Sequence, residues 1–289
     1  MLSEHQKHWG VDQWAAFLTN QTLPCMGRSK LMLRALEETQ GDDLSAADLT
    51  ALVISDPFLC LRLLREAEQR RSHRLGHDTT TPLGAVMQLG AKTFRNLLLG
   101  CSETDATRLG LLACSARAVL ASQIAQLWGR ARCDIAPEEV AMAALLAETG
   151  ELLLWHFAPE LPLAAQVALS NGAAPRSAIA QEQVCGFRFR ELSLKCATVW
   201  QLPPLLLQLI RGVDNVRANL CKLYLDTARH LVNSADDPAL PDDLAQAHHL
   251  IPGASLEWLA GHMNGLDEDR QAKLIEAAQW ILDQEHQEF

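Results

Sequence analysis

Apolar residues recur at three- and four-residue spacing along almost the whole chain, and helix starts and stops punctuate the stretches between them. The longest stripe is Leu109, Leu112, Ala113, Ala116, Val119, Leu120, Ile124 and Leu127, about five turns of one face, closed by Gly129. Upstream, Ser3 can cap a first helix carrying Trp14, Phe17 and Leu18, which Pro24 ends; Met32, Ala35 and Leu36 align on a second. Ser45 with Asp48 resembles a capping box ahead of Leu49, Leu52 and Val53. Asp56-Pro57 is the clearest start signal: the carboxylate can accept from free N–H groups, and proline lacks only an N–H that is unpaired there anyway. Phe58, Leu61 and Leu64 then face inward. Residues 72–80 read as an exposed polar loop. Thr81-Pro82 repeats the start signal before Val86, Met87 and Leu89, and Gly90 stops that helix. Phe94, Leu97 and Leu98 define the next.

Pro137, Glu138 and Glu139 open a helix whose centre, 141–147, is apolar on all sides, as in the middle of a bundle; Gly150 falls within or near its end. Further helices are predicted over 161–170, 177–185, 191–200, 204–211, 215–233, 242–249, 255–263 and 267–285, with a loop at 234–241. No segment alternates as a strand does, and no fixed-period repeat is present. The fold class is all-α.

Composition agrees. The 289 residues are 48% hydrophobic but only 5% aromatic, and Leu and Ala favour helix over strand. A net charge of −10 argues against a dedicated nucleic-acid binder. The eight cysteines (Cys25, Cys60, Cys101, Cys114, Cys133, Cys185, Cys196 and Cys221) form no C-x-x-C pair and read as free thiols of a reducing compartment. The polar start of the chain lacks a signal-peptide core, and no uninterrupted apolar run reaches the roughly 18 residues of a membrane span. A cytoplasmic protein with no membrane contact is the expectation.

Phosphate-loop, dinucleotide, nucleophile-elbow and H-E-x-x-H motifs are all absent. His77-Asp78 would suit a divalent metal by chemistry, yet it sits in a polar stretch between two capped helices, where a solvated loop is the plainer reading. Arg62, Arg65, Arg70, Arg71 and Arg74, with His73, could meet an anion or an acidic partner; the plainer alternative is a solvated helix face paired with Glu66 and Glu68. His248-His249 reads as surface, and His156, after Trp155, as a packed histidine.

The order of motifs resembles the HDOD family, the "HD-related output domain" branch of the HD superfamily, over about 23–214. The matching elements are Leu23-Pro24; Asp56-Pro57 followed by Leu61, Leu63, Leu64, Arg65 and Ala67; Ala85, Val86, Leu89 and Gly90 with Phe94, Arg95, Asn96 and Leu97; Gly186-Phe187; and Trp200, Leu202 and Pro203. Glu68-Gln69 stands where relatives often carry Asn-Ser. The resemblance implies an HD-like multi-helix bundle, with an N-terminal helix (1–21) and a C-terminal helical extension (215–289) packed on a core domain (22–214).

In active HD enzymes the stretch matching Leu145-Leu146-Ala147-Glu148-Thr149-Gly150 reads Leu-Leu-His-Asp-Ile-Gly. The paired ligands therefore fall at Ala147 and Glu148, an upstream histidine at Cys114, and two later ones near Val213 and Asp214. An alanine has no lone pair, and Cys114 with Glu148 is too small a set for a tight site. The implied function is a non-enzymatic bacterial signalling module acting on a protein partner, with no metal and no cofactor. The alternatives are a nucleotide or cyclic-dinucleotide sensor using the degenerate pocket, and a divergent metal-dependent phosphohydrolase. No receiver, cyclase or DNA-binding segment is visible.

Overall fold

The computed structural model describes residues 2–3, 5–41, 44–70 and 78–287. A 3-10 turn at Gln6–His8 precedes α1 (Val11–Thr19), α2 (Gly27–Gln40), α3 (Ala46–Ile54), α4 (Pro57–Arg70), α5 (Pro82–Leu89) and α6 (Ala91–Leu99). The central helices are α7 (Leu109–Gly129), α8 (Pro137–Leu146) and α9 (Thr149–Phe157), followed by α10 (Glu160–Ser170), α11 (Ser177–Cys185), α12 (Phe189–Val199) and α13 (Pro204–Arg211). The chain ends with α14 (Val216–Asn233), α15 (Leu240–Leu250), α16 (Leu256–Gly261) and α17 (Glu268–Gln287). The described residues contain no strand, only an isolated bridge between Cys25 and Glu103.

The bundle is organised around α7, which packs against α8, α9 and α14. One buried apolar cluster runs from Trp14 to Leu282. At the N-terminal end α1 packs on α12; at the other, α15 packs on α14 and α17. Trp128 of α7 donates to the Leu259 carbonyl at 3.0 Å, tying α16 to the central helix.

Helix starts follow the capping chemistry. Ser45 and Asp48 close the box at α3, with both bonds at 3.1 Å. Thr81 accepts from Gly84 N at 3.1 Å with Pro82 in the first turn of α5. Asp56 does more than cap α4. Its Oδ1 accepts from Phe58 and Leu59 N at 2.9 and 3.0 Å, while its Oδ2 accepts from Met26 N and Ser29 Oγ at 2.7 Å each. One buried carboxylate thus caps α4 and fastens the start of α2 to it. Burial pushes this carboxyl upward against the pull of these bonds.

Helix faces departed from expectation where more than one neighbour is present. On α7 the buried face is Leu111, Cys114, Ser115, Ala118, Ala121, Ser122, Ile124, Ala125, Trp128 and Gly129, of which Ile124 belongs to the predicted stripe. The predicted stripe lies largely beside it: Leu109, Ala113 and Ala116 are exposed, and Leu112, Val119, Leu120 and Leu127 half-buried. Small residues let α8 and α14 approach closely, so the closest face is not the most hydrophobic one. On α2 the buried position is Leu33, and Met32 and Ala35 face outward. The first helix starts at Val11 rather than after Ser3, because Gly10 is its N-cap and Ser3 caps only the 3-10 turn. In the predicted loop, 72–77 lie outside the described residues; Thr79 is buried and bonded to Glu68 and Gln88.

Both α7 and the run Pro137–Phe157 are long and apolar enough to match a membrane by length and composition, which counting uninterrupted runs misses. In the fold, 44% and 78% of these windows are buried inside the bundle.

Replacing Asp56 with alanine strands two α4 amides, the Met26 amide and the Ser29 hydroxyl together. The expected loss is about 3–4 kcal/mol, read as a lower urea midpoint at unchanged slope. Asp56→Asn, which keeps one acceptor oxygen, should lose less.

Candidate functional site

The chain breaks between α8 and α9 at Ala147 and Glu148, where the HD ligand pair would stand. The long all-apolar helix expected through this region stops at Leu146, and Gly150 begins a new helix rather than ending the old one. Thr149 Oγ1 donates to the Leu146 carbonyl at 2.6 Å, occupying an acceptor at the end of α8. Gly150 N donates to Ser193 Oγ at 2.8 Å. A Cβ on Gly150 would lie 2.4 Å from the Phe189 carbonyl and 2.8 Å from Ser193 N. Only glycine lets α9 meet α12 backbone to backbone here, and that contact fixes where Glu148 and Glu151 point.

Cys114 and Arg117 lie one turn apart on the facing side of α7. Ligand-type atoms of Cys114, Glu148 and Glu151 all lie within 4.8 Å of one another. Between them sits the Arg117 guanidinium. Its Nε donates to Glu148 Oε2 at 2.6 Å; its Nη2 donates to Glu151 Oε2 at 3.1 Å and to Cys114 Sγ at 3.7 Å. The second oxygens are engaged as well. Glu148 Oε1 accepts from Arg229 Nη2 of α14 at 3.2 Å, and Glu151 Oε1 from Trp155 Nε1 at 3.2 Å. Trp155 can lie there because Gly110 of α7 leaves room: a Cβ would sit 2.4 Å from the indole ring. Arg229 is held in turn by Asp226 at 2.7 Å.

Side-chain exposure is 16% for Arg117, 13% for Glu148 and 19% for Glu151, so water screens the pairs little. Burial alone would draw the Arg117 guanidinium down, but the two carboxylates outweigh it and hold it above its ordinary range. Burial pushes the Cys114 thiol well up, and the Glu151 charge adds to this, so it stays a neutral S–H.

The sequence pattern of the HDOD domain matches residues 28–216. The chain belongs to the HDOD family. Solved structures of the same fold include a virulence factor from Campylobacter jejuni subsp. jejuni, 15% identical at a TM-score of 0.70, covering 92% of this chain and 98% of that one. The MmoQ response regulator from Methylococcus capsulatus str. Bath is 20% identical at a TM-score of 0.59, over 89% of this chain and 99% of that one. At these identities the likeness is one of fold. Comparison with curated proteins gives no match.

The HDOD match contains Cys114, Arg117, Glu148 and Glu151, whereas Arg229 lies beyond it. The structure brings Cys114 and Glu148 together, with Ala147 beside them in the α8–α9 break, and adds Arg117 and Glu151, which the sequence analysis did not single out. Each stands three residues after a predicted position, the spacing that shares a helix face. Val213 and Asp214, the two later positions, lie exposed in the turn before α14, and the α14 side chain that reaches Glu148 is Arg229.

These residues do not fit a catalytic metal of the HD kind. Ala147 offers a methyl group, imidazoles are missing from the set, and all four carboxylate oxygens already accept from a guanidinium or an indole N–H.

The described arginines of the basic patch each have a local contact. Arg62 donates to the Leu23 carbonyl at 2.8 Å, Arg70 pairs with Glu66 at 2.7 Å, and Arg65 stacks on Trp200. Arg71, His73 and Arg74 lie outside the described residues, as does His77 of the His-Asp pair. His248 bonds the Ala254 carbonyl and His249 pairs with Glu285. His156 packs edge-on against Phe58 and Phe157.

Substituting Arg117 with methionine leaves two mostly buried carboxylates facing each other. The expected loss is about 2–4 kcal/mol at neutral pH. Urea denaturation of both proteins at neutral pH checks the size.

Proposed function

We propose that this HDOD protein is a non-enzymatic regulatory module of a bacterial signalling pathway that works in the cytosol by engaging a protein partner. The observation that carries this reading is the Arg117 guanidinium bonded to Glu148, Glu151 and Cys114. Hydrolysis by an HD centre needs a metal that turns bound water into hydroxide near neutral pH. A guanidinium has no vacant orbital for water and no proton to lose in this range. It satisfies the charge of the carboxylates while supplying none of that chemistry.

The setting of the fold agrees with a signalling role. HDOD domains serve as output or scaffold parts, and a solved structure of this fold belongs to a protein described as a response regulator. A domain that retains the bundle but not the ligands keeps a rigid, many-sided surface, which is what a docking scaffold requires.

The test combines metal analysis with assay of the same preparation. After incubation with manganese, iron(II) or zinc and gel filtration, the protein should carry no stoichiometric metal. It should not cleave linear or cyclic dinucleotides. Affinity capture from the native cells should retain one reproducible protein partner. Stoichiometric metal together with phosphodiesterase activity that Glu148→Ala abolishes would return the protein to the hydrolases.

A further inference from the structure

A second feature of the molecule lies away from the degenerate centre. Helix α1, the end of α4 and the turn joining α12 to α13 border an open surface cavity of about 500 Å³, a size common among small-molecule sites. Arg65 and Trp200 form part of its wall. The guanidinium carbon lies 4.6 Å from the indole ring centroid, a cation–π stack. Among the described residues Arg65 donates no hydrogen bond and forms no ion pair, and its Nε is buried without an acceptor.

That state sets it apart from its neighbours. Arg62 has the Leu23 carbonyl, Arg70 has Glu66, and Arg117 has two carboxylates. Burial draws the Arg65 guanidinium below its ordinary range, and the positive charge of Arg62 adds to the effect. A partly desolvated cation beside another cation, with an N–H left over, is the complement of an anion.

The rest of the lining fits such a guest. Lys195 of α12 borders the same cavity and pairs with Asp12 of α1 at 2.6 Å. Both are well exposed, so the pair can open at little cost. Gln69 and Gln201 add side-chain amides able to donate or accept. Gln201 is also the one non-glycine among the described residues with a positive φ, at 53°. That conformation is unfavourable for an L-residue and is found preferentially at binding sites. The wall made by α1 lies outside the segment that matches the HDOD pattern.

We propose that this cavity binds a small molecule bearing an oxyanion, a phosphate or a carboxylate. Arg65 is the primary contact, Lys195 the second cation, and Gln69 and Gln201 hold the polar body of the ligand. Asp12 acts as an internal competitor, because an arriving anion must draw Lys195 away from it.

Calorimetric titration of the full chain with inorganic phosphate, adenosine 5′-monophosphate and succinate, at ionic strength matched with chloride, tests this. At least one probe should bind saturably. Binding to the phosphate compounds alone identifies a phosphate ligand, and binding to succinate alone a carboxylate. Arg65→Gln should weaken the binding by about tenfold or more. Lys195→Gln should weaken it too, whereas Asp12→Asn should strengthen it. The last two sites are exposed, so they remain informative if Arg65→Gln fails to fold. A folded wild-type protein that binds none of the three probes saturably, or binding left unchanged by Lys195→Gln and Asp12→Asn, would overturn the assignment.

Discussion

A single guanidinium, that of Arg117, neutralises the buried acidic face where α7 meets the junction of α8 and α9. Two carboxylates brought this close in a poorly solvated place repel each other unless a cation lies between them. Related HD enzymes meet that need with a metal ion. Here the cation is covalently part of α7, and Arg229 from α14 supplies a second. With Asp226, which also pairs with Arg229, three carboxylates share the two guanidinium groups. The pairs join three helices, and a guanidinium supplies charge without Lewis acidity.

The helices around this pair place it by close approach. Glycine at 150 lets α9 sit on the backbone of α12, and glycine at 110 lets Trp155 lie on α7 with its N–H toward Glu151. The small face of α7 brings α8 and α14 near enough for Arg229 to reach Glu148. Asp56 does an analogous task with hydrogen bonds, seating α2 and α4 on one buried carboxylate. In both places a charged group is buried because several donors converge on it from different helices.

Much of this was legible in the sequence. Local chemistry carried through: the Ser45–Asp48 box, the Asp56-Pro57 and Thr81-Pro82 starts, and most helix bounds came from residues that act on their own backbone. The ordered motifs pointed to Cys114 and Glu148, which the fold brings together. What did not come through depends on tertiary neighbours. The buried face of α7 is its small-residue face, because three helices compete for it, and a hydrophobic stripe cannot reveal that. Arg117 and Glu151 stood in register with Cys114 and Glu148, but asking which ligands were lost hid what had replaced them. The arginines of α4 looked like one patch in the sequence; helix geometry and α1 turned one of them, Arg65, toward a cavity and gave others ordinary partners.

The exchange of a metal for a tethered guanidinium is tested most directly by removing the tether. Thermal unfolding of wild type and Arg117→Ala should be followed with and without saturating manganese or zinc, against a magnesium control. If Arg117 stands in for the ion, the metal should leave the wild-type midpoint unmoved and recover much of the stability lost in the variant, by binding the vacated Cys114, Glu148 and Glu151. A wild-type protein strongly stabilised by the same metal, or an Arg117→Ala variant as stable as wild type without it, would contradict the account.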